Sequence, residues 1–140
     1  MILRPGTFLQ NRYEILEQIG SAGMSDVCKA LCHKLNRTVA IKVLKEEFSQ
    51  DLNFVSKFKM EAQAAAGLSH PNIVSIYDVV DEGSLHYIVM ELIEGITLKN
   101  YIAQKGFLDN QETIGIAIQV AEGIEAAHQQ GIIHRDIKPQ

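Results

Sequence analysis

The chain has 140 residues, of which 46% are hydrophobic and 21% charged, and its formal net charge is −4. This composition is typical of a globular protein with a modest core, and the lack of a basic block argues against a nucleic-acid surface. No apolar run approaches the roughly 18 residues of a membrane span. The apolar start before Arg4 is too short for a signal peptide, so we expect a cytosolic chain. Cys28 and Cys32 fit neither a disulfide framework nor a zinc site, and we expect two reduced thiols and no metal site.

The first half of the chain is predicted to form antiparallel strands. "YEILEQI" (13–19) alternates imperfectly, "SDVCKAL" follows a glycine-containing turn, and "TVAIKVL" (38–44) is rich in β-branched residues. From about Asp51 the apolar spacing becomes helical until Gly67. The predicted face of this helix consists of Phe54, Phe58, Glu61, Ala62 and Ala65.

The second half begins with a predicted hairpin and continues as helices. Residues 73–80 and 85–92 read as strands joined by "DEGS". Thr97 can cap a short helix, and Asp109 followed by a glutamate three residues later has the form of a capping box for a helix that ends before Gly131. This order of elements predicts an α+β fold, with a boundary near residues 93–95.

A glycine-containing turn, "IGSAGMSDV", lies between the first two predicted strands. Small residues there allow backbone N–H groups to approach a phosphate. A dinucleotide fold would need a helix after the turn, and a Walker loop would need Gly-Lys-Ser/Thr, and neither is present. The turn alone is equally compatible with an ordinary tight hairpin.

Lys42 lies within an apolar strand, where an unpaired buried charge would be costly. Glu61 on the following helix is a plausible partner, and such a pair near the glycine turn can bind phosphate. The alternative is a lysine that extends to solvent at a strand edge, with Glu61 on a solvated face.

The segment "HRDIKPQ" closes the chain. An aspartate held by a loop, such as Asp136, can accept a proton from a hydroxyl nucleophile. Lys138 can neutralise charge on a transferred group, and Arg135 can bind an anionic switch segment. A polar loop after a helix is the alternative that the residue types alone allow.

These motifs together resemble a eukaryotic-type protein kinase, and within that family the bacterial transmembrane Ser/Thr kinases. The matching pieces, which cover nearly the whole chain, are "IGSAGMSDV", "VAIK", "KMEAQAAAGLSHPNIVSIYDV", "YIVMELIEGITL" and "HQQGIIHRDIKPQ". The resemblance implies an α+β kinase N-lobe over residues 1–92, with a five-stranded antiparallel sheet and one helix. Residues 93–140 would be the hinge and the first helices of the C-lobe, up to a point within the catalytic loop.

The resemblance also implies an ATP-dependent protein serine/threonine kinase with two catalytic residues in this chain. Asp136 would be the catalytic base, and Lys138 would lie near the γ-phosphate. Lys42 would contact the α- and β-phosphates and pair with Glu61. The expected nucleotide-binding residues are Ile19, Gly20, Ala22, Gly23, Val27, Ala40, Lys42, Glu61, Met90, Glu91 and Ile93.

The same resemblance assigns the adenine site. Val27 and Ala40 would cover the ring from above, and Met90 would lie at the back of the pocket. The backbone of Glu91 and of Ile93 would hydrogen-bond the adenine edge.

Two departures from the family pattern carry expectations of their own. Ala22 stands at the second glycine of G-x-G-x-x-G and Ser25 at the third, and a Cβ at Ala22 is expected to weaken ATP affinity. After Gln140 the family continues with an asparagine and then Asp-Phe-Gly, which bind Mg²⁺. Without them, we expect no phosphotransferase activity from the 140 residues alone.

Expected partners are ATP with Mg²⁺ and proteins with serine or threonine, without nucleic acid. The apolar face of the last helix would be exposed in this chain, which predicts a homodimer formed through the C-terminal helices. We expect a cytoplasmic kinase domain, and the branch of the family that the chain resembles includes membrane-anchored receptors. Alternative functions are a non-catalytic nucleotide-binding pseudokinase and, less similar in its motifs, a small-molecule phosphotransferase.

Overall fold

The computed structural model describes residues 3–140, and for Ala22 it describes the backbone alone, so the first two residues of the apolar start lie outside it. The α+β class is confirmed. Six antiparallel strands form one sheet in the order β1-β2-β3-β4-β6-β5. Five strands were predicted, and the sixth is a short edge strand. The strands are β1 Phe8–Leu9, β2 Tyr13–Ala22, β3 Ser25–Cys32, β4 Arg37–Leu44, β5 Ile76–Glu82 and β6 Leu85–Met90.

Four helices accompany the sheet. They are α1 Glu46–Ser49, α2 Leu52–Ala66, α3 Leu98–Lys105 and α4 Asn110–Gln129. The chain divides into two compact units. The first comprises the described residues up to Gly67 together with Ser75–Leu92, and the second comprises Leu68–Val74 and Ile93–Gln140. The expected division at residue 92 had assigned residues 68–74 to the first domain.

One face of the sheet carries the larger core of the first unit. Alternate residues of β4, among them Ile41, are fully buried there together with Tyr13 and Tyr87. Cys28 and Cys32 lie four residues apart on β3 and point into the same core as free thiols.

The other face of the sheet packs against α2. This second core contains Leu44 and Ile88 from the sheet and Val55, Phe58 and Ala62 from the helix. The predicted helical face is confirmed at Phe58 and Ala62, whereas Glu61 is exposed and Val55 is buried in place of Phe54, which is 36% exposed. Both residues are apolar neighbours, and the sequence period alone does not choose between them.

Local signals set the ends of several elements. Asp51 caps α2 by accepting a hydrogen bond from the Asn53 N–H at 2.8 Å. The predicted hairpin of β5 and β6 turns at Gly83, whose φ of +64° favours glycine. β5 begins at Ile76, three residues later than the predicted start.

Within the described residues, no helix has the length and hydropathy needed to cross a membrane.

The second unit is built from α3, α4 and the segment Leu68–Val74. Thr97 caps α3, as predicted, by accepting from the Asn100 N–H at 3.1 Å. Asp109 caps α4 by accepting from the Glu112 N–H at 2.8 Å.

Contacts within the second unit hold its three parts together. The Glu112 carboxylate, which a capping box would direct to the helix start, instead accepts hydrogen bonds from the hydroxyl of Tyr101 and from Lys105 Nζ. Asn72 Nδ2 donates to the Gln119 carbonyl at 2.9 Å and thereby fastens the segment Leu68–Val74 to α4.

Candidate functional site

The predicted glycine turn is the hairpin between β2 and β3. Ala22 pairs with Ser25, so Gly23 and Met24 form a two-residue turn. Gly23 has a φ of +54°, and no atom lies within 4 Å of the position where a Cβ would be. The turn therefore leaves open space beside its backbone, as a phosphate would require. The side chain of Ala22, whose effect on ATP affinity was predicted, lies outside the described residues.

Ile19 occupies an irregular position in this hairpin. The register shifts between Gln18 and Gly20, so Ile19 is an extra residue without a partner on β3. Its side chain is 48% exposed. Such a bulge bends the strand just before the glycine turn.

Strand register aligns several of the predicted residues in one row across the sheet. Gly20 on β2 pairs with Val27 on β3, and Val27 pairs with Lys42 on β4. Lys42 in turn pairs with Ile88 on β6. Directly opposed residues share a face of an antiparallel pair, so all four side-chain positions lie on the face that packs against α2.

The next row toward the hinge contains two of the residues predicted for the adenine site. Ala40 pairs with Met90, and both lie on the same face as Lys42. Ala40 is buried, and Met90 is half-buried against the α2 core. The sheet thus places the apolar Ala40 and Val27 on the same face as Lys42, with Val27 directly opposite it.

The predicted ion pair between Lys42 and Glu61 is not formed among the described residues, because no hydrogen bond or salt bridge joins them. Lys42 is half-buried, and Glu61 is exposed on α2 beside the buried Ala62. An ion pair with an exposed partner contributes about 0–1 kcal/mol, which is little to hold two long side chains together. A third charge, such as a phosphate, would change this balance.

The predicted hinge begins at Glu91. Its N–H donates to the Ser75 carbonyl at 2.8 Å, and its carboxylate accepts from the Ser75 N–H at 3.0 Å. The N–H of Glu91 is thus already used, and its carbonyl is the backbone group left for a ligand. Ile93 belongs to the second unit and is 62% exposed.

The predicted catalytic segment lies in the second unit. Lys138 Nζ donates to Asp136 Oδ2 at 2.9 Å, and the Asp136 N–H donates to His134 Nδ1 at 3.1 Å. The hydrogen bond from Lys138, with its charge, lowers the pKa of the Asp136 carboxyl below the usual value. Both side chains are largely exposed, at 70% for Asp136 and 53% for Lys138.

Backbone contacts fix this segment to its own unit. Arg135 has a φ of +69°, which is uncommon for a residue with a Cβ and is typical of sites where the chain must turn sharply. The Pro139 carbonyl accepts a hydrogen bond from the Lys99 N–H at 2.9 Å, which joins the segment to α3.

The residues of the sheet have features that suit a nucleotide, whereas the described residues do not form a group that would suit a metal ion. The open turn at Gly23, the Lys42 ammonium and the apolar surface at Ala40 are suited to phosphates and to a flat ring. In the part of the chain that the structure describes, no three His, Cys, Asp or Glu side chains form a group that could hold a metal ion.

Sequence reasoning missed two residues at this site, Lys45 and Ser75. Lys45 contacts the glycine turn from beyond β4, and Ser75 holds the start of the hinge. Neither residue type carries a local signal for such a role, because both contacts depend on the pairing of distant strands.

An antiparallel sheet with a glycine turn, a lysine that faces a packed helix, and a His-Arg-Asp segment define the protein-kinase class of fold. The family model for the protein kinase domain matches residues 13–140, so the chain belongs to the protein kinase family. The predicted family is thereby confirmed.

The relatives are bacterial serine/threonine-protein kinases. The chain is 53% identical over 135 residues to a probable serine/threonine-protein kinase of Clostridium perfringens, covering 96% of this chain and 20% of the relative. It is 48% identical to PrkC of Bacillus subtilis over 96% of this chain and 21% of PrkC. To PknB of Mycobacterium tuberculosis it is 41% identical over 94% of this chain and 22% of PknB.

A solved structure supports the same fold. The crystal structure of the Mycobacterium tuberculosis PknI kinase domain superposes with a TM-score of 0.84 at 28% identity, covering 99% of this chain and 56% of that chain. By contrast, the chain spans only about a fifth of the full length of the curated relatives named above, namely 20% and 21% for two of them. As a family, protein kinases use ATP with Mg²⁺ and act on protein substrates.

Proposed function

We propose that the protein that carries this chain transfers the γ-phosphoryl group of ATP to serine and threonine hydroxyls of other proteins. The row of Gly20, Val27 and Lys42 on one sheet face is the observation that carries the proposal. The names of the relatives and the Asp136–Lys138 pair support it. We further propose that this kinase domain is cytoplasmic.

The roles of the side chains follow from their surroundings. Phosphoryl transfer depends mainly on positioning and charge stabilisation, for which bound Mg²⁺ supplies part of the charge. The Lys42 ammonium would contact the α- and β-phosphates, and Glu61 would orient it once the phosphates are bound. Asp136 is kept ionised by Lys138 and can accept the proton of the attacking hydroxyl. Lys138 would then neutralise charge on the group being transferred.

The adenine would lie against the surface formed by Val27, Ala40 and Met90, with the Glu91 carbonyl and the Ile93 backbone at its edge. The loop over the phosphates would consist of Ile19, Gly20, Ala22 and Gly23.

Replacing Ala22 by Gly in the whole protein is expected to tighten ATP binding, as measured by calorimetry. Unchanged affinity would contradict the proposed crowding.

A phosphorylation assay tests the proposed function. The whole protein is expected to phosphorylate a generic basic protein on serine or threonine with labelled ATP. Lys42→Met and Asp136→Asn should each reduce the rate by at least about a hundredfold. Lys57→Met removes an exposed lysine from α2 and serves as the control. Nucleotide binding without transfer would instead favour the non-catalytic pseudokinase.

Among the described residues, no group of His, Cys, Asp and Glu side chains could hold the metal ion. We therefore propose that the 140-residue chain alone does not transfer phosphate. Phosphorylation of the basic protein by the purified 140-residue chain would contradict this.

We also propose that the 140-residue chain forms a homodimer through α4. Ile114 is 58% exposed and Ile118 is 53% exposed, and because they are four residues apart on one face of the helix, a second copy would cover both. Light scattering is expected to give the mass of a dimer that Ile118→Glu converts to a monomer. If the unsubstituted 140-residue chain were a monomer at a concentration of about 1 mM, the proposed dimer would be ruled out.

A further inference from the structure

Lys45 contacts the glycine turn with both its backbone and its side chain. It is the first residue after β4, where Leu44 pairs with Ser25 at the start of β3. The Lys45 N–H donates to the Met24 carbonyl at 2.8 Å, and Lys45 Nζ donates to the Gly23 carbonyl at 3.0 Å. Both residues of the turn are therefore fastened to one residue outside the hairpin.

Lys45 is itself held by the helices that follow it. Its carbonyl accepts hydrogen bonds from the N–H groups of Phe48 at 2.9 Å and Ser49 at 3.1 Å. Phe48 packs edge-on against Phe54 of α2, with ring centroids 5.1 Å apart. The anchor of the turn is thus part of the packing between α1 and α2.

Among the described residues, few other contacts restrain the turn at Gly23. Gly23 is exposed and has open space around its α-carbon, whereas Met24 is half-buried against the α2 core. A glycine loses more backbone freedom than other residues when it is ordered. A loop that is ordered before its ligand arrives saves that cost at binding.

We infer that Lys45 is a positioning residue that holds Gly23 and Met24 in the conformation that receives the phosphates of the nucleotide. This rests on the proposed function, because it concerns the same nucleotide site. Lys45 acts through the turn, so its effect should depend on whether the ligand carries phosphates. A purely structural lysine would affect all ligands alike.

Calorimetric titration of the whole protein with ATP, ADP and adenosine tests this inference. Lys45→Met keeps the length of the side chain and removes its charge and its donor. We expect it to weaken ATP and ADP binding about threefold to tenfold, the value of one ordinary hydrogen bond, because the contact is exposed to solvent. Adenosine, which has no phosphate to meet the turn, should change less than about twofold.

Two further variants sharpen the test. Lys45→Arg keeps a cationic donor and should restore most of the ATP affinity. Lys34→Met removes an equal charge from the exposed turn between β3 and β4 and should leave all three affinities unchanged.

Hydrogen exchange gives a readout that needs no nucleotide. Amides of residues 22–25 should exchange faster in Lys45→Met than in the parent and in Lys34→Met, while those of β6 keep their protection. Unchanged ATP affinity, or an equal loss for ATP and adenosine, would overturn the inference even if the parent protein is an active kinase. A parent protein that binds no ATP would overturn both the inference and the proposed function, and the exchange data would still report whether Lys45 restrains the turn.

Discussion

The two units of the chain are stabilised in different ways. The first buries 19 apolar residues among those described, including Ile15 and Ile41 with 0% exposure, and nearly all of them belong to two cores on either face of the sheet. In the second, Gly123 is the one residue classed as buried among those described, and Ile114 and Ile118 of α4 are more than half exposed. The residues proposed to bind the nucleotide therefore rest on a closed core, and the proposed catalytic segment does not.

Polar contacts replace the missing core in the second unit. Caps at Thr97 and Asp109 satisfy helix starts, and Glu112 joins α4 to Tyr101 and Lys105 of α3. Such contacts fix geometry, but each contributes only about 0.5–1.5 kcal/mol. The comparison teaches that each unit should respond to the loss of apolar and of polar groups in its own way.

A matched pair of isoleucines gives the largest expected difference. Ile41→Ala removes a fully buried side chain from β4 and should lower the free energy of unfolding by about 2–5 kcal/mol. Ile118→Ala removes a side chain that is 53% exposed on α4 and should change it by less than about 0.5 kcal/mol. Urea unfolding followed by circular dichroism measures both. Equal losses would contradict the contrast between the two units.

A matched pair of glycines tests the tightest contact of the second unit. A Cβ at Gly123 would lie 2.9 Å from the carbonyl oxygen of Asn72, and a Cβ at Gly115 in the same helix would meet nothing within 4 Å. Gly115→Ala should stabilise α4 by up to about 1 kcal/mol through helix propensity. Gly123→Ala should instead destabilise the unit by about 1–2 kcal/mol, because a backbone segment must move.

Hydrogen exchange of the α4 amides reads out both glycine variants, since it reports the stability of one element. Opposite signs are expected. If Gly123→Ala protected α4 as well as Gly115→Ala does, the contact between Asn72 and α4 would not be restrictive.

The sequence predicted the parts of the fold that depend on local patterns. β4 was evident from its β-branched run, and the caps at Thr97 and Asp109 follow from residue type and spacing. The position of Lys42 on the same face as Ala40 could be expected because one strand alternates between faces. Adjacent apolar residues at Phe54 and Val55 left the phase of α2 open, and only packing against the sheet decides it.

Features that depend on distant contacts were not predictable. The attachment of the segment Leu68–Val74 to α4 depends on the amide of Asn72 meeting a carbonyl 47 residues later. Glu112 has the spacing of a capping box, yet its carboxylate bonds to Tyr101 and Lys105, which a linear pattern does not reveal. Lys45 reaches the glycine turn because the end of β4 lies beside the start of β3.

A polar contact in the first unit should matter less than its core. Lys59 of α2 and His86 of β6 both contact the Asp81 carboxylate, at 2.5 Å and 2.6 Å, and these bonds lower the pKa of Asp81, with Lys59 the larger cause. A lowered carboxyl pKa stabilises the fold fully above the unfolded value of about 3.9, and this contribution is lost as the pH falls through the lowered pKa of the folded state. Asp81→Asn should therefore cost less than about 1 kcal/mol at pH 7, because the carboxylate is 40% exposed.

Urea unfolding at two pH values measures this contribution. The difference between the parent and Asp81→Asn should shrink and disappear as the pH falls through the lowered pKa of Asp81. The exposed Glu47 on α1 provides the control, and Glu47→Gln should show no comparable pH-dependent loss. A difference that persisted at low pH would mean that Asp81 stabilises the fold by packing and not by charge.

The smallest expected effect concerns the exposed segment that is proposed to be catalytic. Lys138 donates to Asp136 and lowers the pKa of its carboxyl, so the carboxylate stays ionised down to a lower pH than an ordinary aspartate. Lys138→Met should raise that pKa toward about 3.9, as measured by ¹³C NMR titration of the Asp136 carboxyl. Lys105→Met, which removes a lysine bonded to Glu112 in the same unit, should leave it unchanged. An Asp136 pKa unaffected by Lys138→Met would mean that solvent screens the pair, and the exposed segment would then need contacts outside these residues to prepare its base.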